Sequence, residues 1–409
     1  MTPPRQLSRR SFLKTSAATA ATTLTVPAVK VLGANETMNI GCIGTGGRCQ
    51  HLMKSLVKIP NVRIAAVCDI YDAHLKLARD LAGPKALSTK HYKEVLDRKD
   101  IQAVLIGSPD HWHVPMTVDA CAAGKDVYVE KPLTHNLKEG QAVLDAQNNH
   151  KRIVQVGMQQ RSMPHIQKAR ERIHAGRCGK IHKVHLTWNR NTDRVRKGKL
   201  NIDPKSVDWK AFLGNAPDQP FDEYRFRNWR WFWDFGGGIF TDLMVHFIDV
   251  VHWVLEVEHP LRAASIGDHF SSKGIWQTPD TVQTILNYPK DAQVYFEGTF
   301  SNARNGAMIE FMGTEATLYL DRGRYEIYPE RPRKETPSEE MVLGKRELGR
   351  GRDFYDNPDG ELLHLTNWID CVRSRKRPNA PAETGVSAAS AAHLANRALR
   401  GGQVVTWRD

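Results

Sequence analysis

The 409-residue chain has no run of about 18 uninterrupted apolar residues, so no membrane-spanning helix is expected once its N-terminal leader is set aside. Cysteine is sparse. Cys42, Cys49, Cys68, Cys121, Cys178 and Cys371 are the only six, and none forms a C-x-x-C pair. That excludes a disulfide framework or a clustered zinc site, and the six read as small core residues. Acid is missing from the first 34 residues, which carry Arg5, Arg9, Arg10, Lys14 and Lys30. What remains is ordinary: 41% hydrophobic and 25% charged, a globular composition long enough for two domains.

The acid-free start is a leader. "SRRSFLK" (8–14) precedes "TSAATAATTLTVPAV", a weakly apolar Ala/Thr stretch. Paired Arg9-Arg10 before Phe12-Leu13-Lys14 resembles a twin-arginine export signal spanning 1–34. A protein exported in the folded state acquires its cofactor in the cytoplasm and works in the periplasm or outside the cell. The net charge is +13, and setting the five leader cations aside leaves 13 − 5 = +8. The basic runs "RPRK", "GKRELGRGR" and "RSRKRP" have acids between them and read as solvated surface, and for an exported protein no nucleic-acid partner is expected.

From residue 37 to 157, the short apolar runs "NIGCIG", "RIAAVCD", "AVLIGSP", "DVYVEKP" and "RIVQVG" alternate with helical spacing. Continuous apolar strands separated by helices predict a doubly wound parallel sheet. From 158 to 409 the pattern changes to a helix at "SMPHIQKARERIHAG", a strand at "IHKVHLTWN", an aperiodic stretch over 190–228, and then several short alternating strands before two closing helices. This predicts a second, α+β domain with a large, mainly antiparallel open sheet. The fold class is therefore α/β.

Four motifs carry chemistry. In "GCIGTGGRCQ", Gly44, Gly46 and Gly47 lie between a strand and a helix, as a dinucleotide-binding turn requires, although Cys49 replaces the third small position. Arg48 adds a phosphate-seeking cation. Asp69 ends the second strand 25 residues after Gly44, where a carboxylate accepts from a ribose 2′-hydroxyl and repels a 2′-phosphate; the expected cofactor is NAD rather than NADP. "SPDHWH" (Ser108, Asp110, His113) and "VEKP" (Glu130, Lys131) end the fourth and fifth strands, facing the same crevice. Finally, "GGGIFTDLMVHFIDVVHWVL" spaces Asp242, His246 and Asp249 at i, i+4 and i+7, one polar stripe on an otherwise apolar helix. The three glycines are expected to let a substrate approach the helix start. "WRWFWDF" would place Trp229, Trp231, Trp233 and Phe235 on one face if extended. Trp188, Arg161 and Arg230 are candidate sugar contacts.

The order of these motifs resembles the glucose–fructose oxidoreductase / inositol dehydrogenase (Gfo/Idh/MocA) family over nearly the whole chain after residue 37. The resemblance implies NAD(P) in the first domain and substrate on the second, whose sheet often mediates a dimer or tetramer. It assigns catalysis to Lys131, Asp242 and His246, a frequently cis Lys131–Pro132 bond, and cofactor contacts to the residues above with Gln159. It also implies oxidation or reduction of a hydroxyl carbon of a sugar, sugar derivative or cyclitol by a tightly bound nicotinamide. A branch of the family hydrolyses glycosides through transient oxidation by bound NAD, the competing reading. A non-catalytic carbohydrate-binding protein is the third.

Overall fold

The computed structural model describes residues 36–192, 195, 198–343, 350–351 and 360–408. The leader and most of "GKRELGRGR" lie outside them.

Strands β1 (Met38–Ile43), β2 (Val62–Cys68), β3 (Leu87–Thr89), β4 (Ala103–Ile106), β5 (Asp126–Val129) and β6 (Val154–Val156) form a sheet of order β3-β2-β1-β4-β5-β6. All its pairings are parallel. Helices α1 (Gly47–Leu56), α2 (Asp72–Ala82), α3 (Tyr92–Asp97), α4 (Asp110–Ala122) and α5 (Gly140–Asn149) alternate with the strands. β4 and β5 are buried along their whole length, which is why they read as unbroken apolar runs. The strand order reverses between β1 and β4, so their carboxyl ends frame a crevice.

The rest of the chain begins with α6 (Pro164–His174) and β7 (Ile181–Asn189). The aperiodic stretch holds two short helices, α7 (Trp209–Leu213) and α8 (Glu223–Arg227). A π-helical turn (Phe240–Met244) runs into α9 (Val245–Leu255). Strands β8 (Arg262–Asp268), β9 (Thr281–Tyr288), β10 (Ala292–Thr299), β11 (Ala307–Gly313), β12 (Ala316–Leu320), β13 (Arg324–Pro329) and β14 (Glu339–Val342) follow. Helices α10 (Gly360–Ser374) and α11 (Ala382–Gly401) and a short β15 (Val405–Thr406) close the chain. The nine strands order as β14-β13-β12-β11-β7-β10-β9-β8-β15, antiparallel except for β7 beside β10. β9 alternates buried with more exposed residues, the mark of a sheet covered on one face only.

Packing crosses the expected division at 157/158. Leu365, Trp368, Ile369 and Val372 of α10 share a core with Met38, Ile40 and Tyr128 of the first sheet and Leu52 of α1. Arg375 grips the Asp126 carboxylate with both terminal nitrogens, at 2.6 and 3.0 Å. Helix α10 thus covers the parallel sheet, and part of "RSRKRP" is an internal tie rather than a solvated face. All six cysteines are buried and unbridged.

Candidate functional site

The crevice at the strand reversal is built by glycines. Gly44 has φ +71°, and a Cβ there would stand 2.5 Å from the Ser108 backbone nitrogen. Gly47 has nothing within 4 Å of a Cβ, so its face of the turn is open to a ligand. Cys49 explains the altered third position: a Cβ on Gly107 would sit 2.8 Å from the Cys49 Cβ, so only a small residue lets α1 approach the strand ends. The resulting cavity is about 290 Å³ and is bordered by Gly44, Gly46, Gly47, Arg48, Asp69 and Ser108 on one side and by Asn228, Trp229 and Arg230 on the other. Glycines whose side chains would fill the cradle, an acid at the far end of β2 and an exposed helix N-terminus fit a dinucleotide.

At the acidic end, the Asp69 carboxylate accepts from the Tyr71 N–H at 2.9 Å. His74 Nδ1 is 3.5 Å from its other oxygen, and His74 Nε2 faces Arg227 at 2.8 Å. Arg48 lies between two carboxylates: its Nε donates to Glu130 at 3.0 Å, and a terminal nitrogen donates to Glu361 of α10. Its pKa is raised because those acids outweigh the cost of burial. Glu130 is thereby an anchor for the glycine turn. Asp110 opens α4, and burial raises its pKa against the opposing pull of Lys131 and Arg230. His113 sits between the carbonyls of Pro132 (2.6 Å from Nδ1) and Ser108 (2.9 Å from Nε2) and so ties the two strand-end loops together. Burial lowers its pKa to about 4. Gln159 is buried in the short turn after β6 and does not border the cavity. His111 Nε2 and Trp112 Nε1 both approach the Phe212 carbonyl, at 2.8 and 2.9 Å. Among the described residues no group of three His, Cys, Asp or Glu could hold a metal ion.

Lys131, before a cis proline bond, donates to the main-chain carbonyl of Asp242 at 2.7 Å and to its carboxylate at 3.0 Å. Arg230 donates to the same carboxylate oxygen at 3.0 Å. The helix carrying Asp242 departs from plain α geometry: the Val245 N–H bonds back to the Phe240 carbonyl, five residues earlier. Such π turns gather at functional sites because they re-aim neighbouring side chains. His246 follows on the α-helical side, 7% exposed, its ring 5.5 Å from that of Trp188 and nearly parallel to it. Among the described residues His246 Nδ1 has no hydrogen-bond partner. Burial, then the nearby Lys131 and Arg322 cations, holds its pKa well below the usual histidine value. Its imidazole is therefore neutral at physiological pH.

The remaining candidates are placed elsewhere. Arg161 is buried and makes a bidentate pair with Asp249 at 2.7 and 2.9 Å. Its guanidinium is committed to the core, so the polar stripe on the helix splits between a wet end and a dry one. Trp188 is fully buried and backs His246 instead of meeting solvent. "WRWFWDF" is not extended, because Trp229–Trp231 form a 3-10 turn. Trp231 stacks on Trp276 at 4.3 Å, Trp229 borders the crevice, and Trp233 lies under the Arg400 guanidinium. The three glycines are demanded by the chain itself. A Cβ would meet the Arg230 backbone at 2.9 Å from Gly236, Thr241 at 2.5 Å from Gly237, and Thr278 at 2.7 Å from Gly238. Two arginines escape a reading of the sequence: Arg190 and Arg322, with guanidinium carbons 5.4 and 5.1 Å from the Trp188 ring. Neither lies in a motif, and only sheet pairing brings them here.

A parallel 3-2-1-4-5-6 sheet, a glycine cradle with an acid at its far end, and a Lys–Asp–His group nearby define a nucleotide-dependent oxidoreductase. Residues 38–158 match the oxidoreductase family model with an NAD-binding Rossmann fold, residues 211–319 match the C-terminal domain of the same family, and residues 6–26 match the twin-arginine translocation signal. The chain belongs to the Gfo/Idh/MocA family and carries a signal for twin-arginine export. It is 28% identical to the scyllo-inositol 2-dehydrogenase (NAD(+)) of Bacillus subtilis (strain 168) over 353 residues, 82% of this chain and 86% of that one. It is 30% identical to a glycosyl hydrolase family 109 protein of Shewanella pealeana over 167 residues, 34% of this chain and 37% of that one. A levoglucosan dehydrogenase, solved with NADH and levoglucosan, superposes with a TM-score of 0.70 over 91% of this chain and 100% of its own at 17% identity. No helix among the described residues is long and apolar enough to cross a membrane.

Proposed function

We propose that this exported protein is an NAD(H)-dependent oxidoreductase acting on a hydroxyl carbon of a sugar, sugar derivative or cyclitol. The observation that carries the reading is the convergence of Lys131 and Arg230 on Asp242, with His246 one turn further along the helix, beside the glycine-built crevice that Arg230 also borders. A nicotinamide supplies a hydride acceptor or donor when bound. Gly44, Gly46 and Gly47 would hold its pyrophosphate and Asp69 its ribose, which favours NAD over NADP.

Neutral His246 takes the hydroxyl proton as general base. The Lys131 ammonium, which donates to Asp242, steadies the developing alkoxide. Asp242, gripped by two cations, fixes the position of that ammonium. His113 and Glu130 act at one remove, holding the loops that carry Ser108, Lys131 and Arg48. The open face of the nine-stranded sheet is the surface through which a dimer or tetramer would form.

The glycosidase reading is second: the match to that branch covers about a third of this chain, against more than four fifths for the inositol dehydrogenase. The test is to purify the exported protein with its cofactor and screen sugars, cyclitols and aryl glycosides while following nicotinamide absorbance. Net reduction or oxidation by a sugar or cyclitol supports the proposal. Aglycone release without net redox change supports the glycosidase, and no nicotinamide binding sinks both.

A further inference from the structure

A second cavity, of about 980 Å³, shares no lining residue with the crevice. It opens where α11 clips together the two segments that carry the catalytic group. On one side, His393 Nε2 of α11 lies 3.0 Å from both the hydroxyl and the carbonyl oxygen of Thr134, three residues after Lys131. On the other, the Asn396 amide donates to the Gly237 carbonyl at 2.8 Å. The Gly237 N–H in turn bonds the Thr241 hydroxyl at 3.0 Å, next to Asp242. His135 joins the two segments directly, its Nε2 donating to the Trp233 carbonyl at 3.1 Å. The reaction proposed above makes no use of this cavity.

Its chemistry is one-sided. Lys138, Arg397 and Arg400 border it, and all three are exposed. Among the described residues no acid lines it. Glu139 and Asp234, the acids that act on His135, are engaged elsewhere. Glu139 accepts from the His135 and Asn136 N–H groups at 2.7 and 3.3 Å, and Asp234 lies 3.6 Å from Arg225. Arg400 lies over the Trp233 ring at 4.9 Å. Stacking engages the face of a guanidinium and leaves the N–H donors on its edge free. Asn396 also lines the cavity; it is 8% exposed, and among the described residues its Oδ1 has no hydrogen-bond partner. The orientation of that amide is fixed, since the Gly237 carbonyl can only accept. Cations at the C-terminal end of a helix are ordinary by themselves. A buried acceptor that lacks a donor, in the same cavity, is not.

We propose that this cavity binds a small anionic carbohydrate, a sugar acid or a sugar phosphate, as an effector rather than as the substrate. Lys138, Arg397 and Arg400 receive its oxyanion, and one of its hydroxyls donates to Asn396 Oδ1. Carboxylate and phosphate offer guanidinium edges the same kind of oxygen pair, so the shared chemistry is a polyhydroxylated oxyanion. The bound molecule touches the segments after Lys131 and before Asp242 without meeting the reacting atoms. Occupancy therefore restrains both halves of the catalytic group at once, which couples the two sites. No bond is made or broken in the cavity, and the inference does not depend on which reaction the catalytic group performs.

The test uses the full-length, NADH-loaded protein in its native assembly, titrated by calorimetry with gluconate, glucose 6-phosphate, glucose and inorganic phosphate at matched ionic strength. Gluconate or glucose 6-phosphate should bind about tenfold or more tighter than both glucose and phosphate, and the better of the two tells carboxylate from phosphate. The double variant Arg397→Gln/Arg400→Gln should weaken that binding about tenfold or more, with NADH affinity and the ligand-free unfolding midpoint unchanged. Lys131→Met should leave it intact. Hydrogen exchange of residues 132–138 and 236–244 should slow on saturation with the tighter probe, and not in the double variant. Failure of every probe to bind, equal binding of glucose, or affinity lost with Lys131→Met but kept in the double variant overturns the site. Binding that leaves exchange in both segments unchanged overturns the effector role.

Discussion

Replacing Arg161 with methionine removes one half of a pair whose side chains are only 9% and 1% exposed, and leaves the Asp249 carboxylate in the core with no counter-charge. Asp249 then has two choices, to stay ionised without a partner or to take up a proton. Protonating a carboxyl of ordinary pKa at neutral pH costs about 4 kcal/mol, at roughly 1.4 kcal/mol per pH unit. This agrees with the roughly 3–5 kcal/mol typical of a buried pair broken from one side. The loss should therefore be near 4 kcal/mol at about pH 7 and shrink by roughly 1.4 kcal/mol for each unit of acidification toward about pH 4. Urea unfolding of Arg161→Met and the parent across that range measures it, and Arg161→Met/Asp249→Asn should recover most of the loss. A small, pH-independent change accompanied by a raised KM would refute the reasoning and return Arg161 to the substrate.

Three further outcomes are expected. His246→Ala should lower kcat by about 10²- to 10⁴-fold with NADH affinity nearly intact, checked by turnover and fluorescence titration; a collapse of cofactor binding would remove His246 from its proposed role. Asp69→Ser should weaken NAD binding about tenfold and improve NADP binding, measured as a ratio of dissociation constants; an unchanged ratio would mean that Asp69 does not read the ribose. The protein should also be acid-labile. Burial lowers the pKa of His111, His113, His364 and His393 to about 4 and that of His252 to about 3. Their folded pKa values lie below the unfolded value, so the stability they contribute is complete above about pH 6.5 and is lost as pH falls through that point, by roughly 1 kcal/mol each near pH 5.5. Urea midpoints that stay flat between about pH 7.5 and about pH 5.5 would contradict this.

The first sheet was legible because each strand is local: an apolar run, a turn and a helix name one another within about 30 residues. The glycine turn, Asp69 and the two strand-end motifs were legible for the same reason. Arg161 was not. Its partner, Asp249, is 88 residues away, and a lone arginine reads the same whether it meets a sugar or a core carboxylate. Trp188 shows the same limit, since alternation marks a strand but not which of its faces the catalytic helix will cover. The π turn at Phe240–Met244 leaves no trace in a stripe counted at i, i+4 and i+7, because one extra residue per turn still keeps Asp242 and His246 on neighbouring faces. Arg190 and Arg322 come together only through strand pairing, to which no local periodicity points.

Arg48, in the glycine turn, bonds Glu361 of α10, which lies 313 residues later in the chain. The N-terminal strands and turn are made early in synthesis, but this fixing contact waits until α10 has been made. The glycine turn is thereby braced by α10: a fragment ending before α10 would hold the fingerprint residues without the carboxylate and the helix that support them.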